Sequence, residues 1–253
     1  MDIELYRNAI VLNNMGTTLL HHGAFIQALE TLRHAVETMN AFCYLLEKDV
    51  SSQESLVQRS RTRVETAQSL VSRPPHDSSN NTLLVQSIVV QILPWETLDL
   101  SKIVTLVPDA LGCECWVAFS MDIELEISLR DPEMDSSLVI YNYAVAHLAL
   151  ARLGSATVVN RDASSIFHLS LSILYTKFST SVMQNISETE ASVESIAGLS
   201  IAALRNLAHT LMNVGQESEA TIYHEKIAEI LHALLTMHQT ESVFLRSLAA
   251  AAA

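Results

Sequence analysis

The same spacing of apolar and small residues occurs twice in this chain, once near each end. In both copies two bulky residues are followed by a small one, a bulky one, a glycine, a second small one, a large one and a final apolar one. The intervals agree at every position, with Leu12, Met15, Gly16, Leu19, Gly23, Ala28, Leu32 and Ala35 matched by Leu204, Leu207, Ala208, Leu211, Gly215, Ala220, His224 and Ile227. Two antiparallel helices need this pattern when they cross closely at a small residue and turn at a glycine. The chain is therefore predicted to be built from helical hairpins.

A third, less regular copy lies between the other two. It consists of Ile140, Tyr143, Ala144 and His147, followed by Ala163, Phe167 and Ser170. The copy fits only if the turn at residues 154–161 contains several extra residues. Three hairpins are thus predicted, of which the middle one has a long turn.

Together these units resemble the tetratricopeptide repeat, a helix–turn–helix unit of about 34 residues. The family's aromatic residue at the first position is replaced by Leu12, Ile140 and Leu204, and its closing proline is Asn40 in the first unit. The chain therefore resembles a divergent member. The resemblance implies a mainly α fold, in which antiparallel helical hairpins form a right-handed solenoid.

A single domain over residues 1–253 is predicted from the apolar periodicity and the breakers. Residues 1–72 form the first hairpin and an extra, mostly exposed helix, and the proline-rich run at 73–82 is a linker. Residues 83–130 are an insertion, and 131–238 contain the other two hairpins. Helices are expected at about 5–22, 24–48, 53–71, 135–153, 161–184, 190–213 and 216–238. No function is assigned to the tail at 239–253.

The insertion changes period, because apolar residues alternate with polar and acidic ones from Cys115 to Leu129. Such alternation predicts a strand with one buried face and one acidic face. Residues 84–93 are its expected partner, and Pro94 ends that segment. We predict an antiparallel β-hairpin around 83–129 that packs its apolar face on the helices, because an isolated two-stranded ribbon is marginally stable in water.

The net charge of -13 disfavours nucleic acid and anionic membrane as partners, because both attract electropositive surfaces. Arg59, Arg61, Arg63 and Arg73 form a local basic cluster that is interpreted as a solvated helix face. No apolar run reaches the roughly 20 residues of a membrane span. The N-terminus has neither a basic nor an apolar leader region, so an intracellular location, cytoplasmic or nuclear, is predicted.

The candidate site follows from the resemblance, which implies that the first helix of each hairpin lines a concave groove. Asn14, Asn142 and Asn206 each lie two residues before the small packing residue of their unit. Asparagines at this position in some family members bind the backbone of an extended peptide. The chemistry is suitable, because an amide side chain offers both a donor and an acceptor. The alternative interpretation is that these asparagines form hydrogen bonds within the scaffold.

The same resemblance assigns further positions to the groove, where they would set specificity: Asn13, Thr17, Tyr141, Val145, Arg205, His209 and Asn213. Only Arg205 is basic, which disfavours a clamp for a C-terminal carboxylate. A neutral, partly apolar groove is better suited to a helix or an extended apolar peptide.

Motifs for catalysis and for metal binding are missing from the sequence. It has no glycine-rich phosphate loop, no G-x-S-x-G turn and no H-E-x-x-H helix. Cys113 and Cys115 are too few ligands for a structural zinc ion. No catalytic residue, metal site or cofactor is predicted.

We therefore predict a non-enzymatic scaffold or adaptor that binds a peptide or a helix of a partner protein in a concave groove. Two alternatives stay open. One is a structural subunit of a larger assembly or a homo-oligomer, and the other is an enzyme whose active site is assembled from distant residues.

Overall fold

A computed structural model describes residues 3–47, 53–72, 88–98, 103, 114–126, 130–154, 157–183 and 190–236. These residues form seven helices and two strands, so the predicted mainly α fold is confirmed. In chain order they are α1 (Ile3–His21), α2 (Phe25–Glu47), α3 (Gln53–Ser72), β1 (Ile88–Pro94), β2 (Glu114–Ser120), α4 (Pro132–Gly154), α5 (Thr157–Met183), α6 (Glu190–Asn213) and α7 (Glu217–Thr236). The predicted linker at 73–82 and the tail at 239–253 lie outside the described residues.

The two predicted turn glycines end α1 and α6 in the same way. Gly23 has a φ of 74° and Gly215 a φ of 79°, a left-handed conformation that glycine adopts without steric cost. The amide that follows each glycine donates to a carbonyl five residues earlier, Ala24 to Leu19 and Gln216 to Leu211, both at 2.9 Å. This is the Schellman arrangement, which stops a helix and reverses the chain.

The helices pack in chain order when α3 is left aside. α1 packs on α2, α2 on α4, α4 on α5, α5 on α6 and α6 on α7. The first helices of the three pairs also meet, α1 with α4 and α4 with α6. Asp131 caps the start of α4, since its Oδ1 accepts from the amides of Glu133 at 3.1 Å and Met134 at 3.3 Å.

The crossing of α1 and α2 depends on Gly16. A Cβ at this position would lie 2.5 Å from Cγ of Leu32, well inside normal van der Waals contact. Leu12, Ala28 and Ala35 of the same repeat copy are completely buried, so this part of the pattern does describe an interface. In the C-terminal copy the counterpart of Leu32 is His224, which is exposed on α7.

Helix α3 packs on α1 and α2 and is otherwise exposed, as predicted. Its buried residues are Val57, Ser60 and Ala67. Two arginines of the basic cluster form ion pairs with neighbouring helices, Arg61 with Glu4 and Arg63 with Glu37. These pairs partly neutralise the cluster.

The predicted antiparallel hairpin is wrong, because β1 and β2 are parallel. Their register runs from Ile88 opposite Glu114 to Pro94 opposite Ser120. Parallel strands need a long connection, here residues 95–113. Within it, Ile103 is buried and its carbonyl oxygen accepts a hydrogen bond from Arg205 of α6 at 3.4 Å. Of the predicted hairpin, residues 83–87 and 127–129 lie outside the described residues.

The predicted strand over 115–129 is also too long, and its faces differ from the prediction. β2 ends at Ser120, and both of its faces are covered, since Trp116, Val117, Ala118 and Phe119 are all buried. Among the residues whose exposure the structure describes here, the exposed acidic ones lie in the segment after the strand: Asp122, Glu124 and Glu126. Burial on both faces is typical of parallel strands, whose sequences are then apolar rather than alternating.

One helix boundary also needs correction. Helix α5 begins at Thr157 rather than at 161, so most of the extra residues expected in the turn are helical instead. Ala163, Phe167 and Ser170 of the middle copy are nevertheless completely buried.

The contact of Gly16 with Leu32 predicts that the effect of Gly16→Ala on the free energy of unfolding changes sign when Leu32 is also replaced. Gly16→Ala should lower the free energy of unfolding by about 1–2 kcal/mol, because overpacking outweighs the higher helix propensity of alanine. In a Leu32→Ala background the clash is removed, and the same change should raise the free energy of unfolding by about 0.5–1 kcal/mol. Chemical denaturation of the four proteins measures both effects. A stabilising Gly16→Ala in the unaltered background would contradict the assigned crossing.

Candidate functional site

Strand β2 lies against α1 and α4, on the side where the first helices of the pairs meet. In a strand, the amide and carbonyl groups of alternate residues are directed to opposite edges. The β1 edge of β2 includes the carbonyl of Ser120, which accepts from the amide of Trp95 at 2.8 Å. The other edge presents the backbone of Val117, Phe119 and Met121 to side chains of the helices.

Asn142 on α4 pairs with both backbone groups of Phe119. Its Nδ2 donates to the Phe119 carbonyl at 2.7 Å, and its Oδ1 accepts from the Phe119 amide at 2.9 Å. Asn13 on α1 adds a donor to the same carbonyl at 3.1 Å and accepts from Asn142 at 2.8 Å. Both asparagines are completely buried, so these bonds replace water that the site excludes.

Asn14 on α1 makes the same two-way contact with Met121. Its Nδ2 donates to the Met121 carbonyl at 2.6 Å, and its Oδ1 accepts from the Met121 amide at 2.8 Å. We call Asn13, Asn14 and Asn142 the amide row. Its contacts with Phe119 and Met121 are to backbone atoms, so they do not depend on which side chains the strand carries.

The third contact on this edge is made by a hydroxyl group. Tyr141 donates to the carbonyl of Val117 at 3.0 Å and accepts from Nδ2 of Asn206 at 3.1 Å. Burial raises the pKa of Tyr141, so its hydroxyl stays protonated and keeps its donor. Asn206 of α6 is therefore connected to the strand through the hydroxyl group of Tyr141.

The side chain of Phe119 is the centre of an aromatic cluster and is completely buried. Its ring centroid lies 5.6 Å from that of Trp95 and 5.3 Å from that of Tyr141. Tyr141 continues the cluster to Phe167 of α5 at 5.5 Å. These contacts give the site a preference for an aromatic residue where Phe119 lies.

The positions predicted for the groove divide into two groups. Asn13, Asn14, Tyr141, Asn142 and Asn206 converge on β2, as described above. The others lie nearby or apart: Thr17 is buried and donates to the Asn14 carbonyl, Val145 is buried, Arg205 contacts Ile103, His209 lies beside Arg152, and Asn213 is exposed at the end of α6. In the structure, the residues of the first group contact a strand of the same chain, Asn206 through Tyr141. The binding of a partner peptide by these residues stays a prediction.

A polar network, which the sequence analysis missed, lies at one end of this site and runs from buried Tyr6 and Asp135 to exposed Glu96. Tyr6 and Arg130 both donate to Asp135, and Arg130 also donates to Glu96 at 3.2 Å. The amide of Asp122, just beyond β2, donates to Glu96 at 2.7 Å. Burial raises the pKa of Asp135, although both of its donors oppose that shift. Local patterns give no signal for this network, because Tyr6 and Asp135 are 129 residues apart.

A side chain also covers part of the outer edge of β1. His21, at the end of α1, contacts the carbonyl of Val90 through Nδ1 at 2.8 Å. A carbonyl only accepts, so Nδ1 carries the proton. The ribbon is thus bounded by helix side chains on both edges, by the amide row beside β2 and by His21 beside β1.

The chain matches no protein-family model, and no curated protein or solved structure matches it significantly. In the part of the chain that the structure describes, no group of three or more histidine, cysteine or acidic side chains is arranged to hold a metal ion. Cys113 lies outside that part. None of the described helices is long and apolar enough to cross a membrane.

The buried contact with Phe119 predicts that Asn142→Ala lowers the free energy of unfolding by about 2–3 kcal/mol. The substitution leaves the Phe119 amide without a partner in a site closed to water. Asn8→Ala is the matched control, because Asn8 is only partly buried and its side-chain bonds, to Ser60 at 2.8 Å and to Glu4, are not closed off from water. We expect about 0.5–1 kcal/mol for the control in the same denaturation experiment. Equal losses in the two variants would exclude a special role for Asn142.

The lowered pKa of His209 predicts that the folded protein loses stability in acid. The burial of His209, followed by the nearby Arg152 and Arg205, lowers its pKa to about 4. Between the unfolded pKa of about 6.5 and pH 4, the unfolded chain binds a proton that the folded chain does not. The stability is therefore complete above pH 6.5 and falls as the pH drops towards 4.

We expect His209 to contribute about 2 kcal/mol to this loss, after allowance for its partial exposure. His209→Gln keeps an acceptor for Arg152 but cannot titrate. Denaturation at pH 7 and pH 4 should show a smaller loss in the variant by that amount. Identical losses of stability in the variant and the unaltered protein would mean that the pKa of His209 in the folded protein is not lowered.

Proposed function

We propose that this protein is a non-enzymatic scaffold that binds an extended segment of a partner protein on the face formed by α1, α4 and α6. The observation that carries the proposal is the two-way pairing of Asn142 with Phe119 and of Asn14 with Met121. Each amide side chain pairs with the donor and the acceptor of one residue, as a neighbouring strand does. Such a surface holds extended backbone irrespective of sequence.

The packing order of the helices supports a tetratricopeptide-like array as the framework. Second helices pack on the next first helix, α2 on α4 and α5 on α6, while first helices adjoin along one side. In a right-handed solenoid of hairpins, that side is the concave one. The glycine turns and the crossing at Gly16 support the same arrangement.

The chemistry of this face favours a neutral, apolar ligand. Asn13, Asn142 and Tyr141 are completely buried and uncharged, and the aromatic cluster around Phe119 is apolar. With a net charge of -13, the protein is a poor partner for nucleic acid. An intracellular protein segment in extended conformation is the partner class that fits.

A structural subunit is the second candidate, because several large apolar side chains are exposed on other surfaces. Ile26 of α2 is 69% exposed, Leu169 of α5 52% and Ile222 of α7 50%. Exposed apolar groups of this size are frequent where subunits meet. In this case the partner would cover these helices rather than the face that holds β2.

Photo-crosslinking in the source cell tests the proposal. A photoreactive phenylalanine analogue is placed at Thr18, which lies one turn beyond Asn14 on α1 and donates to the Asn14 carbonyl. Arg59, exposed on α3, is the control position, and Ile222 reports the alternative. We expect one or a few partner adducts at Thr18, at least ten times more abundant than at Arg59, identified by mass spectrometry.

Adducts at Ile222 without any at Thr18 would favour the structural subunit. The absence of adducts at all three positions would contradict both candidates and would favour an enzymatic role. Thermal denaturation of each labelled protein verifies that the substitution leaves the fold intact.

A further inference from the structure

The face that would bind a partner is occupied by the chain's own strand. Phe119 and Met121 have their backbone groups paired with the amide row, and Val117 is bound by Tyr141. Trp116, Val117, Phe119 and Met121 are buried, so no room is left for a second strand at these positions. A partner segment that uses the amide row must take the place of β2.

We propose that β2 is an internal copy of the ligand, and that a partner segment of the same chemistry binds by replacing it on the amide row. This inference rests on the proposed function and states which ligand the site takes. It also assigns a regulatory role to β2, which keeps the site closed until a competing segment is present.

The side-chain contacts of β2 define the ligand. The aromatic cluster requires an aromatic residue at the position of Phe119, and aliphatic residues are buried two positions before and after it, at Val117 and Met121. Ala118 is completely buried, which requires a small residue directly before the aromatic one. The ligand is therefore an extended segment with the pattern aliphatic, small, aromatic, any residue, aliphatic, parallel to β1.

The buried side chains of β2 share one core with the helices, but neighbouring helices also pack directly on one another within the framework. The contacts that order it run from α1 to α2, α2 to α4 and α4 to α5, and none of these pairs is joined through the strand. The ribbon of β1 and β2 contacts the framework through helix side chains, including His21 at Val90. Replacement of β2 by a similar segment would therefore leave these helix-to-helix contacts in place.

The free energy of replacing β2 by a partner segment is close to zero, because the incoming segment forms the same hydrogen bonds that β2 loses. Release without a competitor is unfavourable, because it exposes the buried side chains of β2 and removes the bonds of the amide row to the strand backbone. The apparent affinity for a ligand is reduced by the fraction of molecules in which the site is open. Weakening β2 should therefore increase the affinity for an external segment, whereas destabilising the framework elsewhere should not.

The test uses the full chain and a fluorescent peptide with the sequence of residues 116–126. Phe119→Ala removes the central side chain from the internal strand, and it should bind the peptide about 100-fold more tightly than the unaltered protein does. Phe25→Ala is the matched control, because Phe25 is equally buried but lies at the start of α2. Its affinity should stay within about threefold of the unaltered protein.

Changes in the peptide show which contacts it makes. A peptide that carries Phe119→Asp should bind the Phe119→Ala protein at least 30-fold more weakly, because the charge enters the aromatic cluster. A peptide methylated on the Met121 amide nitrogen should lose about tenfold in affinity, because Oδ1 of Asn14 then loses its 2.8 Å bond and keeps only the 3.4 Å bond from Nδ2 of Asn13. Tight binding of both altered peptides would overturn the assignment of the amide row as the site.

Hydrogen exchange of the unaltered protein decides the question even if Phe119→Ala does not fold. The amides of Phe119 and Met121 should open at least tenfold more often than core amides of α4 such as that of Ala144. Added peptide should increase their exchange further. If they open only together with α4, β2 is a fixed part of the core and the inference is overturned.

The proposed function is judged separately by the crosslinks at Thr18. Adducts there, combined with a β2 that never opens, would mean that a partner binds beside the strand rather than in its place. The inference alone would then fail.

Discussion

The need to pair both edges of a buried strand governs this structure. β2 is covered on both faces, so water cannot satisfy its amides and carbonyls, and each unpaired group would cost about 1–3 kcal/mol. β1 pairs with one edge. The other edge is paired by side chains, the amide row and the hydroxyl of Tyr141. This requirement explains why Asn13 and Asn142 are completely buried.

The helix packing provides the geometry for these bonds. Asparagines two residues before the small packing residue lie on the helix face next to the crossing, and the crossing itself is close because Gly16 has no Cβ. Side chains from α1 and α4 can then reach the same carbonyl of Phe119, Asn13 from one helix and Asn142 from the other. The two helices form a groove whose short amide side chains bind the backbone of an extended segment. These bonds do not select the side chains of that segment. Selectivity comes instead from the aromatic cluster around Phe119.

Much of the helical framework could be predicted, because its signals are local. Glycines with positive φ end α1 and α6, each within a few residues of the pattern that predicts it. Asn14 and Asn142, which contact the strand, were also identifiable from their offset to the small residues. Their ligand was not, since nothing near Asn142 indicates that it pairs with Phe119. The parallel direction of the strands was missed for the same reason: a short alternating segment does not encode the direction of its partner, and the contact of Ile103 with Arg205 became visible only in three dimensions.

The sequence by itself determined the helical hairpins, the glycine turns and the row of amides on the first helices, because these follow from spacing along one or two helical turns. Only the tertiary structure decided that β2 occupies the amide row, that β1 runs parallel to it, and that Tyr6, Arg130 and Asp135 form one buried network. Those contacts join residues that are far apart in the chain. Their partners are selected by the cost of leaving a buried polar group unpaired, a condition on the whole folded molecule that no local pattern expresses.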